Sequence, residues 1–291
     1  MSSSKFIALI ARLPLPLLHL SGYGLGWLFW LIPNKKRRIT YINLSICLPE
    51  LTYWQRHNMA RRSLIHEAQT LLEIPALLRL PRQRLQSLAH EVIGLEYLEQ
   101  GMEKGKGVIL AIPHLGNWEM IGLYASALYP MTSLYRPQHR SPELDDFIRT
   151  GRQRFDARLV PTDAGGVRAL YKALDHNELV AILPDQNPGR GSGVFAPFFG
   201  HTANTMVLLT RLAQRNHATV LYSFTERLRW GRGFRIHFVP ASDDLYNPDR
   251  QQSASAINLG LEQCIRQAPA QYWWSYKRFN VQPEGENNPY S

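Results

Sequence analysis

The sequence predicts an α/β fold with a central mixed sheet flanked by helices, and three observations carry that expectation. From about residue 105 onward, short apolar runs alternate with stretches of helical periodicity, as strands and helices do when they take turns along a chain. The runs GVILA and ELVAI are apolar without interruption, which suits strands covered on both faces. Hydrophobic residues make up 45% of the 291 positions and charged residues 19%, enough for a sizeable core and too apolar for a disordered chain.

The first element is LPLPLLHLSGYGLGWLFWLI, residues 13–32, twenty positions without a formal charge. That is about the length that crosses a hydrocarbon core. No Asp or Glu precedes Glu50, whereas Lys5, Arg12 and the KKRR run at 35–38 do. The segment therefore reads as an N-terminal membrane-anchor helix with a cytoplasmic basic flank. Pro14, Pro16, His19 and three glycines weaken it as a span, while Trp27 and Trp30 suit a membrane interface. A hydrophobic helix buried in the fold is the alternative.

Residues 51–90 carry helical patterning interrupted by Pro75 and Pro81, which predicts two or three short helices. GKGVILAIPH reads as a strand through Ile112 and NWEMIGLYASAL as a helix, with Pro113 and Gly116 bending the chain between them. MTSLYR is a second strand, followed by a polar helix over 141–155, a third strand ARLVPT, a helix GVRALYKALDHN and a fourth strand ELVAILPD. QNPGRGSGVFAPFFGHTA reads as a loop, NTMVLLTRLAQRNH as a helix, TVLYSFTERL and FRIHFVPA as strands, and 251–268 as a helix. The tail VQPEGENNPYS reads as frayed. The expected organisation is an anchor with its basic flank at 1–38, a catalytic domain at 39–282 and a flexible tail at 283–291.

A formal charge of +10 points to an anionic partner: nucleic acid, an acidic membrane surface or an acidic substrate. The basic residues cluster beside the apolar segment and no recognition-module signature occurs, which argues against nucleic acid. Cys47 and Cys264 are too few and too scattered for a disulfide framework or a metal knuckle. Both read as small core residues in a reducing compartment.

His114, Arg136 and Asp185 each follow a predicted strand, and in such folds sites gather at the carboxyl ends of strands. His114 and Glu119 stand five positions apart, a spacing that on one continuous helix would rotate them about 140° from each other. The bend at Pro113 and Gly116 lets Glu119 reach back, fix the ring tautomer and leave the other nitrogen as a general base. No Ser or Cys adjoins His114, so direct activation of a substrate hydroxyl is favoured over a covalent acyl-enzyme. Backbone N–H groups at the start of the following helix are candidates for an oxyanion site. A metal set of His114, Glu119, His139 and Asp185 is conceivable, but no HExxH or close His pair accompanies it, and no metal is expected.

HLGNWE resembles the HxxxxE motif of the lipid A biosynthesis lauroyl/myristoyl acyltransferases, the bacterial late acyltransferases of lipopolysaccharide assembly. Further matches follow in order: LYRP at 134–137, GRQRF at 151–155, LPDQNPG at 183–189, PFFGHTANT at 197–205 and YWWSYKRF at 272–279. The sequence departs from the family's pattern in RFD, where a glycine often follows RF, and in HTANTMVLL, which lacks a glycine after the second threonine. The resemblance implies a glycerolipid-acyltransferase-like fold and an enzyme that moves an acyl chain from acyl carrier protein onto an acyl-chain hydroxyl of a Kdo2-lipid IVA type precursor. It also implies an inner-membrane location with the catalytic domain on the cytoplasmic side, and no cofactor beyond the acyl-carrier donor. Carried onto this sequence, His114 and Glu119 are the catalytic pair and Arg136, Arg152, Asp185 and Gln186 bind substrate, with RGSGVFAPFFG along an acyl channel. Arg136 as an ion-pair partner of Glu119 or Asp185, and Asp185 as a loop cap, remain open. So do a paralogue acting on an ornithine lipid, a glycolipid or an aryl polyene, and a basic membrane-binding protein without turnover.

Overall fold

In the computed structural model, which describes residues 9–137, 141–189 and 191–291, seven strands form one mixed sheet. The strands are β1 (Ala89–Ile93), β2 (Val108–Ala111), β3 (Met131–Tyr135), β4 (Ala157–Pro161), β5 (Leu179–Ile182), β8 (Thr219–Arg227) and β9 (Phe234–Pro240). The order across the sheet is β1-β9-β8-β2-β5-β3-β4. Pairing is parallel from β8 through β2, β5 and β3 to β4, and antiparallel only between β8 and β9. Every residue of β2 and β5 is buried, which explains their unbroken apolar sequences.

Along β2 the side chains alternate between two cores. Ile109 and Ala111 face one, with Leu170, Leu209, Ile257 and Leu261. Val108 and Leu110 face the other, with Leu98, Met120 and Ile121. The helices α8 (Ala164–Asp175), α9 (Leu208–Asn216) and α10 (Arg250–Gln267) supply the first layer; α5 (Leu95–Glu103) and α6 (Trp118–Ser126) supply the second. The polar helix expected at 141–155 is α7 (Pro142–Arg152).

The two or three short helices expected for residues 51–90 are instead one long helix, α3 (Tyr53–Leu77), and a short α4 (Arg82–Leu88), followed by β1. Pro75 lies inside the last turn of α3, so any kink it makes is followed by only two helical residues. A capping box of Thr52 and Gln55 starts this helix. β1 escapes periodicity because it is a half-exposed edge strand paired only with β9. The glycine- and proline-rich loop contains an antiparallel hairpin, β6 (Gly193–Phe198) and β7 (His201–Met206). Asn204, Thr205 and Met206 thus belong to a strand, and the following helix starts later, at Leu208. Pro197 is tolerated because a two-stranded sheet has only edges.

The N-terminal apolar segment forms α1 (Leu15–Leu31), joined by a sharp bend to α2 (Lys35–Cys47). The bend measures 83°, and no single described helix is long and apolar enough to cross a membrane, although this bent pair passes by length and composition together. The expected boundary at residue 38 falls inside α2. Leu15, Leu18, His19, Gly22, Gly26 and Trp30 of α1 are buried. A Cβ at Gly22 or Gly26 would come within 2.7 Å or 2.3 Å of the α3 backbone at Gln69 or Ile65, so the two helices touch main chain to main chain. In the tail, the Tyr290 hydroxyl donates to Asn43 and accepts from the Phe279 amide. Asn43 in turn donates to the carbonyls of Trp274 and Tyr276. One buried asparagine holds the last residues against α2.

Candidate active site

Strand register builds the centre of the site. β2 and β5 are parallel neighbours with Ala111 opposite Ile182. His114 and Asp185 each stand three residues past that pair, so the sheet delivers them side by side at its carboxyl edge. The His114 ring Nδ1 lies 2.7 Å from Asp185 Oδ1, and the His114 backbone N–H donates to Oδ2 at the same distance. Asp185 is 2% exposed. Burial would raise its carboxyl, but the charge and two hydrogen bonds of His114, together with the nearby Arg278, hold it below the ordinary carboxylate range. An ionised Asp185 fixes the proton of a neutral ring on Nδ1 and leaves the lone pair on Nε2. Gln186 Nε2 is 3.1 Å from that nitrogen. Trp118 and Trp273 stack on each other with centroids 5.2 Å apart, and the His114 ring lies 4.8 Å and 5.2 Å from them.

The carboxylate that orients His114 is therefore Asp185, not Glu119. Glu119 is the second residue of α6, and Arg152, at the end of α7, reaches it with two guanidinium nitrogens, Nε at 2.8 Å from Oε2 and a second nitrogen to Oε1. A buried carboxylate with both oxygens to satisfy is best served by such a planar fork, and Arg152 also lies over the Tyr135 ring. The motif's two members thus belong to two adjoining pairs, His114–Asp185 and Glu119–Arg152. Arg136 follows β3 at the same sheet edge but is exposed, and among the described residues it has no ion-pair partner. His139 lies outside the described residues.

The loop between β2 and α6 is held rigidly. Gly116 adopts a left-handed φ of +63°, and a Cβ there would meet the Thr225 carbonyl oxygen at 1.5 Å, so only glycine fits. Asn117 caps α6: its side-chain oxygen accepts from the N–H groups of Glu119 and Met120. The amides of His114, Leu115, Gly116 and Asn117 are bound as well, by Asp185, Pro113, Gln271 and Thr225. Of the expected oxyanion donors at this helix start, the amides of Asn117, Glu119 and Met120 are consequently already taken.

Beneath the loop lies a buried polar cluster that the sequence does not announce. Thr70 of α3 donates to the Gly116 carbonyl, and Glu73 accepts from the Asn117 side chain. Arg227 of β8 grips both oxygens of Glu73, at 2.5 Å and 2.8 Å. His19 of α1 brings Nε2 to 2.7 Å of Glu73. Burial alone would raise the Glu73 carboxyl, but Arg227 and His19 outweigh it and bring it down to about 2. Burial, then the Arg227 charge, keeps the neighbouring His66 neutral down to about 3.

Both groups bind fewer protons folded than unfolded, so each contributes stability above its unfolded pKa and loses it as pH falls. Urea midpoints are expected to decline as pH drops below about 6.5, where unfolded His66 takes up a proton, and more steeply below about 4.5, where unfolded Glu73 does. Replacing His66 by Phe should reduce the upper part of that decline and leave the share of His237, which burial likewise holds below its ordinary value.

Arg278, 2% exposed, supports Asp185 from the other side. It donates to the Asn204 carbonyl and the Thr205 hydroxyl of β7. The Tyr276 hydroxyl accepts from the Asn187 amide, which pins the DQN turn. Trp274 and Phe279 are core residues, packed with Phe198 and Phe199. Phe198 and Phe199 are thereby committed to the core rather than to the expected acyl channel. Trp273, the neighbour of His114, was hidden in the same aromatic run. Its alternation with buried Tyr272 and Trp274 was the available signal.

Bacterial lipid A biosynthesis acyltransferases match this chain over residues 4–281. Among relatives, the lipid A biosynthesis lauroyltransferase of Escherichia coli strain K12 is 28% identical over 283 residues, 97% of this chain and 91% of its own length. A lipid A biosynthesis acyltransferase of Haemophilus influenzae is 29% identical over 97% of this chain and 87% of its own. The lipid A biosynthesis palmitoleoyltransferase of E. coli strain K12 is 28% identical, with 96% and 90% covered. The match spans nearly the whole chain, the motif and the aromatic run included: the chain is an acyltransferase and belongs to the bacterial lipid A biosynthesis acyltransferase family.

Proposed function

We propose that this protein transfers a fatty acyl chain from acyl carrier protein to the hydroxyl of an acyl chain on a Kdo2-lipid IVA type precursor, at the cytoplasmic face of the bacterial inner membrane. One observation carries the mechanism: Asp185 holds the His114 ring by Nδ1, which leaves Nε2 as the free base of the pair. The acceptor hydroxyl takes the place that Gln186 now occupies and gives its proton to Nε2. Its oxygen bonds to the thioester carbonyl carbon, the C–S bond breaks, and the departing thiolate recovers the proton from Nε2. Asp185 stabilises the imidazolium between the two proton transfers.

In this reading Glu119 acts through Arg152, fixing the guanidinium in place while its own charge is neutralised. Exposed Arg136, at the same edge, suits a phosphate of the acceptor or of the carrier's prosthetic arm. The excess of positive charge favours an acidic carrier, a phosphorylated acceptor and an anionic leaflet alike. Mass spectrometry of lipid A from cells with the gene deleted and restored tests the assignment. The expected result is a mass loss equal to one secondary acyl chain that returns on complementation. Unchanged lipid A with an altered ornithine lipid or other glycolipid would overturn the acceptor and keep the chemistry.

A further inference from the structure

The turn between β8 and β9 carries a tryptophan that nothing in the fold uses. Trp230 is 83% exposed and holds a left-handed φ of +61°, a conformation that disfavours a bulky side chain. Strain at a residue that packs against nothing points to a role outside the molecule. Arg229 and Arg232 flank it, both exposed and without an ion-pair partner among the described residues. Because β8 is parallel to β2, this turn leaves the sheet at the same edge as His114.

The turn adjoins the start of α1. A Cβ on Gly231 would meet Pro16 at 2.6 Å, and the Gly231 amide donates to Nδ1 of His19. From that end, α1 presents Leu17, Leu20, Leu28 and Leu31 outward, each about half exposed or more. Their spacing of three, eight and three places them on one stripe of the helix, opposite the face that α3 buries. A helix apolar on both sides needs a second apolar neighbour. Crossing a bilayer would drag in α3, which is packed along α1 on one side and bonded to the catalytic loop on the other.

We propose that α1 lies in the plane of an anionic lipid surface and that the β8–β9 turn is a second insertion point, with Trp230 at the level of the headgroups and Arg229 and Arg232 on their phosphates. Tryptophan favours that depth and arginine that charge. The two contacts set the sheet edge carrying His114 toward the leaflet. The proposal rests on the reading of a membrane-resident acceptor, and its test reads binding alone, so either can fail without the other.

The full chain with Trp230→Cys, labelled with an environment-sensitive fluorophore, is mixed with phosphatidylethanolamine/phosphatidylglycerol vesicles. The native Cys47 and Cys264 are 2% and 1% exposed, and burial pushes both thiols up, so labelling is confined to the new site. The expected result is a blue shift and quenching by brominated acyl chains, with neither at Lys104→Cys, which sits in the turn entering β2 at the opposite edge. Arg229→Glu with Arg232→Glu should weaken vesicle partitioning about tenfold or more. A label that stays in water while the protein sediments with vesicles overturns the proposal. So does an equal shift with phosphatidylcholine alone, which would remove the anionic surface, or a shift that appears without lipid as protein concentration rises, which would make the turn a contact between copies.

Discussion

His114→Ala is expected to lower acyl transfer by about 10²–10⁴-fold, with the far-UV spectrum and membrane partitioning unchanged. The ring makes its hydrogen bonds to Asp185 and Gln186 at one edge of the sheet, and the loop that carries it is held independently by Thr70, Thr225 and Gln271. Asp185→Asn is the sharper variant. An amide keeps the shape but no longer accepts through two ionised oxygens, so the ring can turn or adopt the wrong tautomer, and a loss on the order of 10³–10⁴ follows by analogy with other base-orienting carboxylates. The double variant should be scarcely worse than the worse single one, because the two residues act as a unit. Initial rates with a purified acyl-carrier donor decide the matter: losses that multiply fully would show that Asp185 does not work through His114.

Glu73→Ala is expected to cost stability rather than chemistry, by about 3–5 kcal/mol, since it strands the buried Arg227 guanidinium without its carboxylate. It also removes the acceptor of the Asn117 side chain and the anion facing His19. Arg227→Met should be similarly harmful. The double variant Glu73→Ala with Arg227→Met should lose much less than the two single losses combined, because it removes both charges together. Urea unfolding of the four proteins at one pH measures this directly. Equal and additive losses would mean that the cluster is two separate packing sites.

Local structure is legible in the sequence: unbroken apolar runs mark β2 and β5, and Pro113 with Gly116 marks the bend before α6. What depends on which strands become neighbours is not. Glu119 was the nearest carboxylate along the chain, but Asp185, 71 residues away, is the nearest in space, because parallel pairing of β2 with β5 places equal offsets opposite each other. Glu73 and Arg227 look like ordinary surface charges in a helix and a strand. Only their convergence, from 154 residues apart, makes them a buried pair. β1 and the β6–β7 hairpin escape for other reasons: β1 is a half-exposed edge, and two of the three consecutive buried positions of β7 are the polar Asn204 and Thr205, held by hydrogen bonds.

The loop at Gly116 and Asn117 leans on Thr70, 46 residues to one side, and on Thr225, 108 residues to the other. Loop closure over such distances is a late event in folding. During synthesis the histidine emerges early, together with the strand that carries it. Its orienting carboxylate arrives with the next strands, and the threonine and glutamine that hold its loop come only near the end. A nascent chain therefore displays the proposed base well before the site around it is assembled, and that assembly is among the last properties that the growing polypeptide acquires.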